Sequence, residues 1–132
     1  MQPPAYYIGL DIGSITVKAV VLDATGKMLF STYSRHYSEV RQSTACLLRE
    51  IADFAYGAAC RMSVTGSGGI SLAGELGLPF IQEVLASNLA IRKRLPDADV
   101  VIELGVEDAK LTFLNGGLDQ RMNETCAGGT GA

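Results

Sequence analysis

Residues 6–23 read YYIGLDIGSITVKAVVLD, and their pattern decides the fold. Alternation with period two puts Tyr6, Ile8, Leu10 and Ile12 on one face of a strand. Gly13-Ser14 is turn chemistry, and ITVKAVVLD (15–23) returns as a second strand. ATGK (24–27) turns the chain again into MLFSTYS (28–34). The chain therefore opens with three consecutive antiparallel strands.

Downstream the period changes. Leu47, Leu48, Ile51, Phe54 and Ala55 recur at helical spacing, with Gly57 as the stop. RMSVTGS (61–67) reads as a short strand running into a glycine turn. A short helix over 72–76, a strand PFIQEV (79–84) and a helix over 87–95 follow. The order β-β-β-α-β-α-β-α is that of an α/β unit, a meander continued by crossover connections. Pro96-Asp97-Ala98-Asp99 then breaks the pattern, and it restarts as VVIELG (100–105), AKLTFLN (109–115) and LDQRMN (118–123), with a Gly116-Gly117 turn. This is an internal repeat: a complete first domain over 1–97, and over 98–132 a second copy that stops after its third strand.

The two restarts share their polar residues. GLDIGSITVK carries Asp11 at the strand end, Gly13 and Ser14 in the turn, and Thr16 and Lys18 beyond. IELGVEDAK carries Glu103, Gly105, Asp108 and Lys110 in like order. Turn N–H groups converge on phosphate oxygens where glycine lets an anion approach, and a neighbouring carboxylate holds Mg²⁺ through water. Alone, Asp-x-Gly-Ser is better explained as a good turn; its recurrence at equivalent places reverses that preference and favours a polyphosphate clamp. VTGSGG (64–69) follows a strand and suits either the same cleft or a plain loop.

Bulk properties narrow the partners. The chain has 132 residues, 48% hydrophobic and 19% charged, with a formal net charge of -3. No basic block marks a nucleic-acid surface, and the apolar runs are too short and interrupted to cross a membrane. The first residues lack a secretion signal. Three widely spaced cysteines fit a reducing compartment, so the cytoplasm is expected. Asn123-Glu124-Thr125 fits a glycosylation acceptor, which carries no weight without secretion.

Three stretches resemble one family. GLDIGSITVK and IELGVEDAK are similar to the first and second phosphate loops of the actin-like and sugar-kinase-like ATPases. MNETCAGGTGA (122–132) is similar to the Asn-x-x-Cys-Ala-x-Gly-Thr-Gly segment of the activators of 2-hydroxyacyl-CoA dehydratases and the ATPase subunits of benzoyl-CoA reductases. The resemblance implies a ribonuclease-H-like actin-type ATPase fold, Mg-ATP/ADP as cofactor, and a [4Fe–4S] cluster shared across a homodimer. It also implies a dehydratase or reductase partner that receives a low-potential electron. By position, Asp11 would hold Mg²⁺ through water. Gly13, Ser14, Thr16 and Lys18 would meet the phosphates, and Glu103 would orient the attacking water or the metal. Asp108 would act with Asp11 and Glu103 as a catalytic carboxylate, Gly105, Lys110, Gly129 and Thr130 would complete the nucleotide site, and Cys126 would bind iron. An anionic cluster at a helix start is favourable for the helix dipole.

The sequence departs from the family in Val106, where a second glycine is usual, and in Ile15, where threonine is. The second cluster cysteine and the adenosine segment of the family have no counterpart in these residues. The chain alone is therefore expected to be a poor ATPase, as the N-terminal part of a longer parent ATPase. Cys46 and Cys60 are expected to be small core residues. Two other readings stay open: a small-molecule kinase of the same fold, and a non-enzymatic interaction module whose loops are only turns.

Overall fold

The structure is a computed structural model that describes residues 2–105, 109–114 and 119–123. The chain divides into two compact units, Met1–Ala86 and Ser87–Ala132.

In the first unit, β1 (Tyr6–Ile12), β2 (Thr16–Asp23), β3 (Met28–Arg35) and β4 (Cys60–Thr65) form one sheet in the order β3-β2-β1-β4. The first three strands are an antiparallel meander, and β4 lies parallel to β1. Helix α1 (Val40–Phe54) lies between β3 and β4 in the chain, and α2 (Gly69–Leu76) follows β4. The expected alternation holds: Ile8, Leu10 and Ile12 are buried with Val17, Ala19 and Val21 of β2, against Leu47 and Ile51 of α1 and Ala73 of α2. Each fully buried aliphatic side chain contributes about 1.5–3 kcal/mol, so this one-sided core holds the sheet to its helices.

Two local features control the ends of elements. The turn after β2 is built by Asp23, whose Oδ1 accepts from the Thr25 N–H (2.8 Å), the Thr25 hydroxyl (2.6 Å) and the Lys27 N–H (3.0 Å). Helix α2 ends at Gly77 in the left-handed region (φ 65°), with the Leu78 N–H on the Ala73 carbonyl at 2.9 Å. That bond, with the Gly77 N–H on Gly74, satisfies carbonyls that the helix leaves open.

The strand expected over PFIQEV is reduced to a single parallel bridge between Val64 and Phe80. The Val64 N–H donates to the Pro79 carbonyl and the Ile81 N–H to the Val64 carbonyl, and pairing stops there. Helix α3 (Glu83–Arg94) begins earlier than expected. Glu83 in its first turn and Arg92, Lys93 and Arg94 in its last complement the helix dipole, which favours helix over strand from residue 83.

In the second unit, β5 (Val100–Leu104), β6 (Ala109–Phe113) and β7 (Asp119–Asn123) form an antiparallel meander in the order β5-β6-β7. Among the described residues, no helix is long and apolar enough to cross a membrane.

Candidate functional site

The polar face of the first sheet carries a row of residues at matched register. Asp11 on β1 stands opposite Lys18 on β2, Lys18 opposite Tyr33 on β3, and Asp11 beside Thr65 on parallel β4. Lys18 Nζ donates to Asp11 Oδ2 at 2.9 Å and lies 5.6 Å from the Tyr33 ring centroid. Asp11 sits here because period two sends Leu10 and Ile12 to the core and their neighbour to the other face. Its second oxygen, Oδ1, is buried and accepts from no described residue, and the Thr65 hydroxyl is likewise buried without a partner. A buried polar atom without a donor costs roughly 1–3 kcal/mol, so these two atoms suit a ligand, a hydrated cation or water.

Two turns close over this end of the row. In the first, the Gly13 N–H donates to the Thr16 carbonyl at 2.8 Å, while the N–H groups of Ser14 and Ile15 donate to no described residue. Thr16 is buried, and its Oγ1 would lie 3.3 Å from a Cβ at Gly13. In the second, Gly66 has φ +96°; a Cβ there would come within 2.3 Å of the Ile12 carbonyl oxygen and 2.5 Å of Asp11 Oδ1. The Gly68 N–H donates to the Ile12 carbonyl at 2.9 Å. The VTGSGG turn thus lies directly against Asp11. Short glycine-bearing turns beside an unsaturated carboxylate are backbone that can meet a polyanion and its cation.

The first turn is braced from behind. His36 is 5% exposed, its Nε2 is 3.2 Å from the Gly13 carbonyl, and its backbone N–H donates to the Ile15 carbonyl at 3.1 Å. The Ser38 N–H donates to His36 Nδ1 at 3.2 Å. Tyr37 and Ser38 both hold positive φ, 47° and 68°, a conformation that costs non-glycine residues about 1–2 kcal/mol each. A cleft of about 490 Å³ between β3 and α1 is lined by Thr32, Glu39, Ser43 and Cys46 among others, and His36 and Tyr37 of the brace reach it.

The second hairpin repeats the register within its own unit. Glu103 on β5 pairs with Lys110 on β6. Ser87 Oγ, from α3, donates to Glu103 Oε1 at 3.2 Å. Gly105 follows β5; Val106, Asp108, Cys126, Gly129 and Thr130 lie outside the described residues. Cys46 and Cys60 are exposed thiols, not core residues. Cys46 falls off the buried stripe of Thr44, Leu47 and Ile51, and Cys60 opens β4 at the sheet margin. Sequence reasoning missed His36, and it reached Thr65 only as part of the VTGSGG stretch, without a role of its own. The signal for His36 is that the chain has one histidine; Thr65 had none beyond its place at a strand end.

A meander-led sheet with a parallel fourth strand, helices on its buried face and a carboxylate at the first hairpin defines the actin-like ATPase fold, and solved structures agree. Over 92% of its length the chain superimposes on (R)-2-hydroxyglutaryl-CoA dehydratase component A from Acidaminococcus fermentans, with a TM-score of 0.75, 22% identity and 48% of that chain covered. It is similar over 92% of its length to the activator of the 2-hydroxyisocaproyl-CoA dehydratase from Clostridium difficile, solved with bound ADPNP (TM-score 0.69, 25% identity, 47% of that chain). The Ppx/GppA family member from Aquifex aeolicus shares the fold at a TM-score of 0.61, with 14% identity and 92% and 52% coverage. The chain spans about half the length of these structures. No protein-family model and no curated protein matches the chain.

Proposed function

We propose that the chain is the N-terminal part of an ATP-hydrolysing, iron–sulfur activator that delivers a low-potential electron to a 2-hydroxyacyl-CoA dehydratase-type enzyme in the cytoplasm. The likeness to a dehydratase component and to a dehydratase activator, the latter solved with ADPNP, carries this reading. The cysteine segment around Cys126 supports it from the sequence.

The first-unit residues fit a magnesium–nucleotide. Asp11 Oδ1 is a buried acceptor without a donor, and the backbone of Gly66 packs so closely against it that a Cβ there would come within 2.5 Å. In this proposal Asp11 holds the ion through water and Lys18 balances the carboxylate. Ser14 and Ile15 donate backbone N–H groups to phosphate oxygens. From the sequence resemblance, Glu103 and Asp108 are assigned to orienting water or the metal, and Gly105, Lys110, Gly129 and Thr130 to the nucleotide. A bound magnesium ion supplies neutralisation of charge on the transferring phosphoryl group.

For the cluster the assignment rests on sequence: Cys126 is the proposed ligand, in a homodimer. Among the described residues no group of three His, Cys, Asp or Glu side chains could hold a metal ion. When bound, a four-iron cluster supplies a one-electron carrier of low potential.

The test uses the longer parent protein. Asp11→Asn is expected to cut ATP hydrolysis by orders of magnitude while the melting temperature stays near that of the wild type. Cys126→Ser is expected to abolish cluster absorbance and electron delivery while nucleotide binding persists. Unchanged turnover in the first variant, or retained cluster colour in the second, removes that residue from the mechanism.

A further inference from the structure

We infer that His36 is a positioning residue for the first phosphate turn: its ring fixes the backbone of residues 13–15 so that the Ser14 and Ile15 N–H groups stay available to an anion. The inference rests on the nucleotide reading above for the identity of that anion, but not for the brace itself.

The ring is bound at both nitrogens. Nδ1 accepts from the Ser38 N–H, so it carries no proton, and the proton of the neutral ring is on Nε2, which donates to the Gly13 carbonyl. The His36 backbone adds a second tie to the same turn through the Ile15 carbonyl. Two of the turn's carbonyls are thus occupied from the His36 side. A carbonyl held in this way fixes the plane of the peptide that follows it, because the peptide unit is rigid. The Gly13 carbonyl belongs to the peptide whose N–H is that of Ser14. Holding the one therefore aims the other.

The segment behind the ring is arranged for this contact. Tyr37 and Ser38 take left-handed conformations, and the Glu39 N–H closes on the His36 carbonyl at 2.7 Å before α1 begins. Neither residue is a glycine, and Tyr37 is 80% exposed, so burial of its side chain does not offset the strain. What the conformation achieves is to bring the Ser38 N–H onto Nδ1, which sets the tautomer that donates to Gly13. Strain held next to a candidate site is the pattern expected where geometry serves binding. The ordinary alternative is a core histidine satisfied by whatever lies near it.

Two replacements separate these cases. In His36→Gln the amide nitrogen reaches the Nε2 position and can still donate to the Gly13 carbonyl. In His36→Asn the amide oxygen replaces only the Nδ1 acceptor, and the turn loses its donor. In the 132-residue chain, ring ¹⁵N shifts of the wild type are expected to report an Nε2-protonated neutral imidazole. Both variants are expected to lose similar stability to urea. The Ser14 and Ile15 amide resonances are expected to move in His36→Asn and to stay near wild type in His36→Gln. In the longer parent protein, affinity for ADPNP with Mg²⁺ is expected to fall about tenfold in His36→Asn, the order of one lost hydrogen bond, and to stay within about twofold in His36→Gln. The opposite tautomer, or equal effects of the two variants on the Ser14 and Ile15 resonances, overturns the inference. If the wild-type longer parent binds no ADPNP, the nucleotide reading fails, and the tautomer and the amide resonances still decide the brace.

Discussion

Asp11 and Lys18 face each other across the β1–β2 hairpin with Lys18 Nζ 2.9 Å from Asp11 Oδ2, and Glu103 and Lys110 hold the same opposed positions across β5 and β6. In each hairpin the last paired residues, Ile12 with Val17 and Leu104 with Ala109, leave four residues between them. The duplicated carboxylate and lysine are therefore a duplicated piece of sheet geometry. The Asp11–Lys18 side chains are 31% and 41% exposed, so solvent screening keeps the pair's structural worth to about 0–1 kcal/mol. Lys18→Met is accordingly expected to shift the urea midpoint only slightly while weakening ADPNP binding several-fold, measured by titration. A large fall in stability with binding intact would mark the lysine as structural.

Two glycines eight residues apart are expected to respond with opposite sign. Gly66→Ala forces a Cβ against the Ile12 carbonyl at positive φ and is expected to destabilise the first unit by roughly 1–3 kcal/mol. Gly74 is an exposed position within α2 where a Cβ meets nothing within 4 Å, so Gly74→Ala is expected to add about 0.5–1 kcal/mol. Urea denaturation of both variants checks the pair.

Thr65 offers a test of the row's purpose. Its hydroxyl is buried without a described partner, and an isosteric apolar side chain removes that cost. Thr65→Val is expected to leave stability unchanged or raise it by up to about 1 kcal/mol, while reducing the effect of Mg²⁺ on ADPNP affinity. A marked loss of stability in calorimetry would show that the hydroxyl is satisfied in the folded chain.

The turn after β2 gives a pH dependence. The Thr25 hydroxyl, then the Lys27 N–H, hold the Asp23 carboxyl below the usual carboxylate range. A group whose folded pKa is depressed contributes stability that is present above its unfolded value, near 3.9, and is lost as pH falls through the folded pKa. Asp23→Ala is therefore expected to lower the melting temperature at neutral pH, with the difference from wild type shrinking in acid below about pH 4. A pH-independent difference would assign the loss to the turn backbone instead.

Much of this architecture is legible in the sequence because its signals are local. The alternation of Ile8, Leu10 and Ile12 and the turn residues at 13–14 and 24–27 fix the meander, since each acts over a few residues. The repeat exposed the paired carboxylates for the same reason. Helix α1 was seen only from its apolar half: its first turns follow Glu39, which makes no side-chain cap, and they bury little beyond Thr44. Phe80 reads as strand but pairs at one residue, because Glu83 already carries the charge that starts a helix. Cys46 reads as core by composition and is exposed by angle around α1. VTGSGG is open in the sequence between cleft and plain loop, and the structure sets its Gly66 against Asp11; His36 is illegible as a partner of that turn because a chain reversal brings it there, and no local pattern encodes that approach.

The parallel pairing of Leu10 with Val64 spans all of β2, β3 and α1. Closing so long an excursion carries a loop entropy cost that the neighbouring hairpins do not meet. As the chain emerges from the ribosome, the meander can assemble early, but Asp11 gains its glycine neighbour only once residue 66 is free to dock. Binding competence is thus a late event in the life of the nascent chain, and hydrogen exchange pulsed during refolding should record β4 amides protected after those of β2.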